Sequence, residues 1–191
     1  MALTQYYTAT TLDGFIADAN NSLDWLFTRA RDEDGPGNYR DFIADVGALA
    51  MGSTTYEWIL EHEFKDKDSA EWKWPYEIPC WVFTHRELRV VPDASIEFVS
   101  GDVAPVHAEM VEAAGGRNVW IVGGGDLVGQ FADAGLLDEV IVGIAPVTLG
   151  AGAPLLPRRI ELRLEELGRN GDFVSARFSV VRPPTGEEPP A

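Results

Sequence analysis

The chain is poor in cysteine: among 191 residues Cys80 stands alone. A lone thiol excludes an internal disulfide framework and a multi-cysteine zinc site, and no metal is expected; it fits a reducing compartment. Basic residues are scarce as well, 15 Lys+Arg against 31 Asp+Glu, for a formal net charge of −16. Such a charge repels a phosphate backbone and gains nothing from counterion release, so neither nucleic acid nor an anionic membrane is an expected partner. Residues 1–6 lack both the basic and the apolar region of a signal peptide, and a cytoplasmic location is expected. Fixed-period repeats are missing too. The one biased segment is 182–191, with four prolines and no apolar anchor, expected as a disordered tail behind a single domain at 1–181. What remains is an ordinary globular composition, 46% hydrophobic and 24% charged.

Along the chain, Leu3 to Ala9 reads as a strand stopped by the turn Leu12-Asp13-Gly14. Asn38 can cap a helix whose apolar residues Tyr39, Phe42, Ile43 and Val46 have helical spacing, ending at Gly47. Ala48 to Met51, Cys80 to Thr84 and Ser95 to Val99 read as further strands, and Pro105 as a first-turn residue of a helix closed by Gly115-Gly116. The clearest unit is Val119 to Gly125, a helix from Asp126 to Ala134, and the apolar strand Glu139 to Ala145. That is a βαβ crossover, which demands a parallel, buried sheet. Ile160 to Leu167 and Phe173 to Val180 instead alternate around Arg169-Asn170-Gly171-Asp172, a hairpin signal. The expected fold is therefore α/β with a mixed, mostly parallel sheet and a C-terminal β-hairpin.

Three glycines between an apolar strand and a helix present bare N–H groups where the helix dipole favours a phosphate. Gly123-Gly124-Gly125 can equally be a tight packing turn. Asp126-Leu127 stand where a Walker loop needs Lys-Ser/Thr, and Val128 stands where a dinucleotide fingerprint needs its third glycine, so neither common class applies. Gly52-Ser53-Thr54-Thr55 is a second strand-end turn able to hold a phosphate, with plain helix capping as the alternative. Thr84-His85-Arg86, with Arg89, concentrates cationic groups at a third strand end. Three such sites along one sheet edge fit one extended, multiply charged ligand such as a dinucleotide.

These residues resemble a family. Thr11 to Ala17, Met51 to Glu57, Gly123 to Leu127, and Ala134 to Glu139 running into Ala145 to Leu155 are similar, in this order, to the dihydrofolate reductase-like proteins. Closest among them is the reductase (C-terminal) domain of the riboflavin-biosynthesis deaminase-reductase and its stand-alone bacterial relatives. The resemblance implies a three-layer α/β/α fold and NADPH-dependent hydride transfer to a small heterocyclic or carbonyl/imine substrate, as in 5-amino-6-(5-phosphoribosylamino)uracil reduction. Dihydrofolate reduction, or a non-catalytic nucleotide-binding or interaction protein on the same fold, are the alternatives. By family position Gly124 and Gly125 pass the pyrophosphate, with Val122, Gly123, Asp126 and Leu127 also cofactor-binding, and Gly52, Ser53, Thr54 and Thr55 hold phosphate and ribose. Thr84, His85 and Arg86 lie near the adenosine and its 2′-phosphate, with Ala9 and Ile16 beside the nicotinamide. Asp13 and Asp24 are the candidate proton donors, although Asp-Gly is also an ordinary turn. A homodimer is implied as well.

Three further features have plain explanations. His107-Ala108-Glu109 copies half of a zinc-deaminase signature, but no cysteine follows residue 80 to complete it, which leaves a helix surface. Arg158-Arg159, the one basic pair, reads as solvated. The aromatics from Tyr56 to Trp81 either line a pocket for a flat ring or pack an insertion against the sheet.

Overall fold

The computed structural model describes residues 2–68 and 71–182; the disordered tail expected at 182–191 lies, from 183 on, outside them. Among the described residues, ten strands and five helices follow in order as β1 (Thr4–Thr11), β2 (Phe15–Ala17), α1 (Asp24–Phe27), α2 (Tyr39–Ala44), β3 (Val46–Gly52), α3 (Ser53–Phe64), β4 (Cys80–Phe83) and β5 (Ile96–Val99). Then come α4 (Val103–Ala113), β6 (Asn118–Gly123), α5 (Gly125–Asp133), β7 (Glu139–Ala145), β8 (Ala153–Pro154), β9 (Leu162–Asn170) and β10 (Phe173–Val180). Eight strands form one sheet in the order β5-β4-β3-β6-β1-β7-β10-β9. The first six are parallel; β10 joins β7 antiparallel and carries β9 as a hairpin.

Alternation along the strands sends successive residues to opposite faces. In β3, Ala48 and Ala50 face α4 and α5, joining Val106, Met110, Val128 and Phe131 in one core. Leu49 and Met51 face the other way, with Tyr56, Leu60, Phe64, Trp72 and Trp74 in a second. The result is the expected α/β/α sandwich. Small residues on one face of β3 let α4 lie close: a Cβ on Gly47 would stand 2.3 Å from the Ala114 carbonyl oxygen. Gly47 therefore continues β3 instead of ending a helix, and α2 stops earlier, at Ala44. Asn38 does cap α2, its side-chain oxygen accepting from the Asp41 N–H at 2.9 Å. The crossover from β6 through α5 to β7 is right in direction, but β1 runs between the two strands, with Tyr6 opposite both Ile121 and Val140. The hairpin turns at Gly171-Asp172, inside the expected Arg169 to Asp172 segment; Asn170 beside it is buried and bridges to another segment, accepting from Asp32 N and donating to Pro36 O. The aromatic segment goes mostly into the second core, as packing.

Candidate functional site

Parallel strands all end on one edge, and two helices start directly from it. α3 begins after β3 with Gly52 as N-cap, and α5 after β6 with Gly124 as N-cap. Neither cap has a side chain to accept from the free first-turn N–H groups, whereas Asn38 and Asp102 cap α2 and α4. Two uncapped, dipole-positive helix ends thus converge on one space. That space is a cleft of about 530 Å³, and Gly52, Ser53, Thr54, Thr55, Thr84, His85, Arg86, Gly124, Asp126 and Leu127 all line it, with Phe83, Ser100, Gly101 and Gln130. Ala9 and Ile16 sit instead on β1 and β2, Ala9 against Trp25 and Ala145, and Val122 packs into the second core. Gly123 and Gly125, the chain neighbours of Gly124, are buried and do not line the cleft; the Gly123–Gly124 peptide is cis. The last four lining residues were missed, although Ser100-Gly101 also follows a strand end and the same edge rule finds it.

The glycines divide the work. At Gly124 the backbone is extended (φ −87, ψ 177) and a Cβ would meet nothing within 4 Å, so its bare peptide faces open space. A Cβ on Gly125 would stand 2.3 Å from the Pro154 carbonyl oxygen and 2.5 Å from that of Leu155. One glycine therefore faces the open cleft, and the next lets α5 sit on the 154–155 backbone. Leu155 N donates in turn to Gly14 O at 2.8 Å, and the Tyr6 hydroxyl to Leu155 O at 3.2 Å. The separate motifs at 11–17, 123–127 and 145–155 are thus one assembly.

Asp13 belongs to that assembly. Its carboxylate accepts from the Thr11 hydroxyl at 2.6 Å and from the backbone N–H groups of Leu149 and Gly150 at 3.0 and 2.7 Å. The Thr11 hydrogen bond, then those from the backbone, hold its pKa below the ordinary carboxylate value. A carboxylate so held is a poor acid at neutral pH, and this geometry favours the turn-fixing reading over proton donation. Asp24 opens the four-residue α1 and is exposed, while its neighbour Trp25 packs on Ala145 and Phe173.

At the cleft mouth, the Thr84 hydroxyl accepts from Arg86 N at 3.0 Å and fixes the turn that presents Arg86. The guanidinium donates to both Glu57 oxygens, at 3.1 and 2.7 Å, and to Ser53 Oγ at 3.1 Å. Arg89 leaves this group and lies over the Trp72 ring at 4.6 Å. Arg158 pairs with Asp126 and Asp133, and Arg159 with Glu161, so both arginines of the basic pair are engaged. His107 is a helix residue tied to Thr4, its ring nitrogen 2.7 Å from the hydroxyl, and no metal-binding group of three ligands exists among the described residues. A larger groove of about 920 Å³ opens at the amino ends of the strands, but Asp34, Asp41, Asp45, Glu165 and Glu166 line it, which opposes a phosphate ligand.

Compared with known proteins, residues 4–169 match the model of the RibD C-terminal domain. The chain belongs to that family. Two relatives from Bacillus subtilis (strain 168), the uncharacterized proteins YwjB and YyaP, are 32% identical over 183 residues (92% of this chain, 96% of YwjB) and 27% identical over 163 residues (82% of each). A putative riboflavin biosynthesis protein from Shewanella sp. PV-4 superposes with a TM-score of 0.75 at 25% identity, covering 95% of this chain and all of that one. A dihydrofolate reductase from Enterococcus faecalis, complexed with NADP(H), matches at a TM-score of 0.53 and 11% identity over 93% of this chain and 96% of its own. That match shows the fold alone. RibD C-terminal domain membership and these neighbours make the chain a dihydrofolate reductase-like domain of oxidoreductase type. Among the described residues no helix is long and apolar enough to cross a membrane.

Proposed function

We propose that the cleft binds NADPH and that the protein is an NADPH-dependent reductase of a small heterocyclic or carbonyl/imine substrate. The observation that carries this reading is the convergence of two uncapped helix N-termini, at Gly52 and Gly124, on one cleft at the carboxyl edge of the sheet. Gly124 to Leu127 fit the pyrophosphate, Gly52 to Thr55 further phosphate and ribose, and the 84–86 turn the adenosine end. Bound there, the cofactor supplies a hydride, while the chain orients it and keeps water away. For a phosphorylated substrate such as the phosphoribosylamino-uracil, the cations of the one basic pair are Arg158, bound to Asp126 and Asp133, and Arg159, whose exposed pair with Glu161 a phosphate can exchange. The implied homodimer fits the same reading, with β9, the outer strand of the sheet, exposing Leu164 and Leu167 along its length.

NADPH binding is measurable by the emission of the six tryptophans, since Trp81 in β4 lies two residues before the cleft wall at Phe83. Saturable quenching or energy transfer to NADPH is expected. No response at millimolar cofactor removes the assignment. With binding in hand, loss of NADPH absorbance on adding dihydrofolate, the phosphoribosylamino-uracil or simple imines and ketones identifies the acceptor.

A further inference from the structure

We propose that Glu57 sets the dinucleotide selectivity of the cleft by competing with a ribose 2′-phosphate for Arg86. This presupposes the dinucleotide site proposed above. Nucleotide sites in general use a carboxylate to accept from a ribose 2′-hydroxyl, or an arginine to take a 2′-phosphate. Here Arg86 lines the cleft, and Glu57, just outside that lining, is bound to it: Arg86 Nη1 donates to Glu57 Oε1 at 3.1 Å and Nη2 to Oε2 at 2.7 Å. Each Glu57 oxygen spends one acceptor site on Arg86 and keeps another. A 2′-hydroxyl can therefore donate to Glu57 with the ion pair intact.

A 2′-phosphate meets a different situation. The pair is exposed, with side-chain accessibilities of 57% for Arg86 and 45% for Glu57, so it is weak and exchangeable. A doubly charged phosphate makes stronger charge-assisted bonds and takes the guanidinium. Glu57 can turn its side chain but not leave the neighbourhood, because its backbone is fixed in α3 one turn beyond Ser53, and Ser53 Oγ accepts from the same guanidinium at 3.1 Å. Its negative charge therefore remains near the phosphate and repels it. Arg86 pulls the preference toward NADPH, and Glu57 pulls it back toward NADH.

Calorimetric Kd values for NADPH and NADH on the wild type, Glu57→Gln and Arg86→Gln test this. Glu57→Gln keeps the shape of an exposed side chain, and its Tm verifies folding. The expected result is NADPH binding tightened by about ten-fold in Glu57→Gln, with NADH changed by less than about two-fold. Arg86→Gln is expected to weaken NADPH and spare NADH. NADPH affinity left unchanged or weakened in a folded Glu57→Gln overturns the role of Glu57 while leaving the cofactor site standing. Failure of the wild type to bind either dinucleotide overturns the site and the selectivity together.

Discussion

A carboxylate that accepts from Thr11 Oγ1 and from two backbone N–H groups is stabilised as the anion, and for Asp13 this has a testable sign. Its folded pKa lies below the unfolded value of about 3.9. The stabilisation is therefore fully present above that value and disappears as pH falls through the folded pKa. Asp13→Asn should lower Tm by a few degrees at neutral pH, with the gap to wild type closing as the pH drops below about 4. Turnover lost at unchanged Tm and unchanged NADPH affinity would instead make Asp13 the proton donor. Sequence alone shows the Asp-Gly turn, but the bonds that decide its chemistry come from Leu149 and Gly150, 136 and 137 residues away. Glu57 was within view in the same manner: it closes the Met51 to Glu57 motif, yet its partner Arg86 is 29 residues on, and only the meeting of two strand ends brings them together.

At the scale of elements, the turn into α5 makes two neighbouring glycines behave in opposite ways. Gly124 has an extended backbone and open space at its Cβ position, and aspartate is a favourable N-cap. Gly124→Asp should hold or raise Tm while weakening NADPH by about ten-fold or more, because its carboxylate would face the pyrophosphate of a dinucleotide bound as proposed. Gly125→Ala drives a methyl into the Pro154 and Leu155 carbonyls and should cost about 1–3 kcal/mol in denaturant unfolding. Equal loss of stability in both variants would return the pair to packing alone. The glycine run was legible as a helix start, and the division of labour was not, since it depends on the 154–155 segment arriving from β8. Strands and hairpin were legible because alternation and turn chemistry are local. The hairpin turn fell inside the expected Arg169 to Asp172 segment, while the contacts of Asn170 with 32–36 are distant and were not visible, and the aromatic segment stayed open because density of rings says nothing about which face they enter. It enters the second core, apart from Trp81, which joins the first; Trp58 packs at the margin of the second core and stacks on His62 and Phe27 with centroids 4.6 and 6.2 Å away.

For the whole molecule, the order β6-β1-β7 shows why strand succession is not strand adjacency: β1 fills the middle of the sheet and separates the strands of the βαβ unit. It also brings the 11–17 loop to the carboxyl edge, beside the glycine turn. The charge of −16 acts on this edge from everywhere at once. Binding a dinucleotide needs only short-range donors, which the α3 and α5 N-termini and Arg86 provide, but the approaching anion crosses a repulsive field before reaching them. Salt screens that field over a Debye length of about 10 Å at 0.1 M and leaves contacts inside the cleft less affected. Association of NADPH should therefore speed up as ionic strength rises from about 0.05 to about 0.3 M, with Kd changing by less than about three-fold. A basic, steered site shows the reverse, a slower association and a steep loss of affinity. Stopped-flow energy transfer from tryptophan to NADPH separates the two, and a fall in the association rate with added salt would mean that a local positive field at the cleft mouth outweighs the acidity of the rest of the chain.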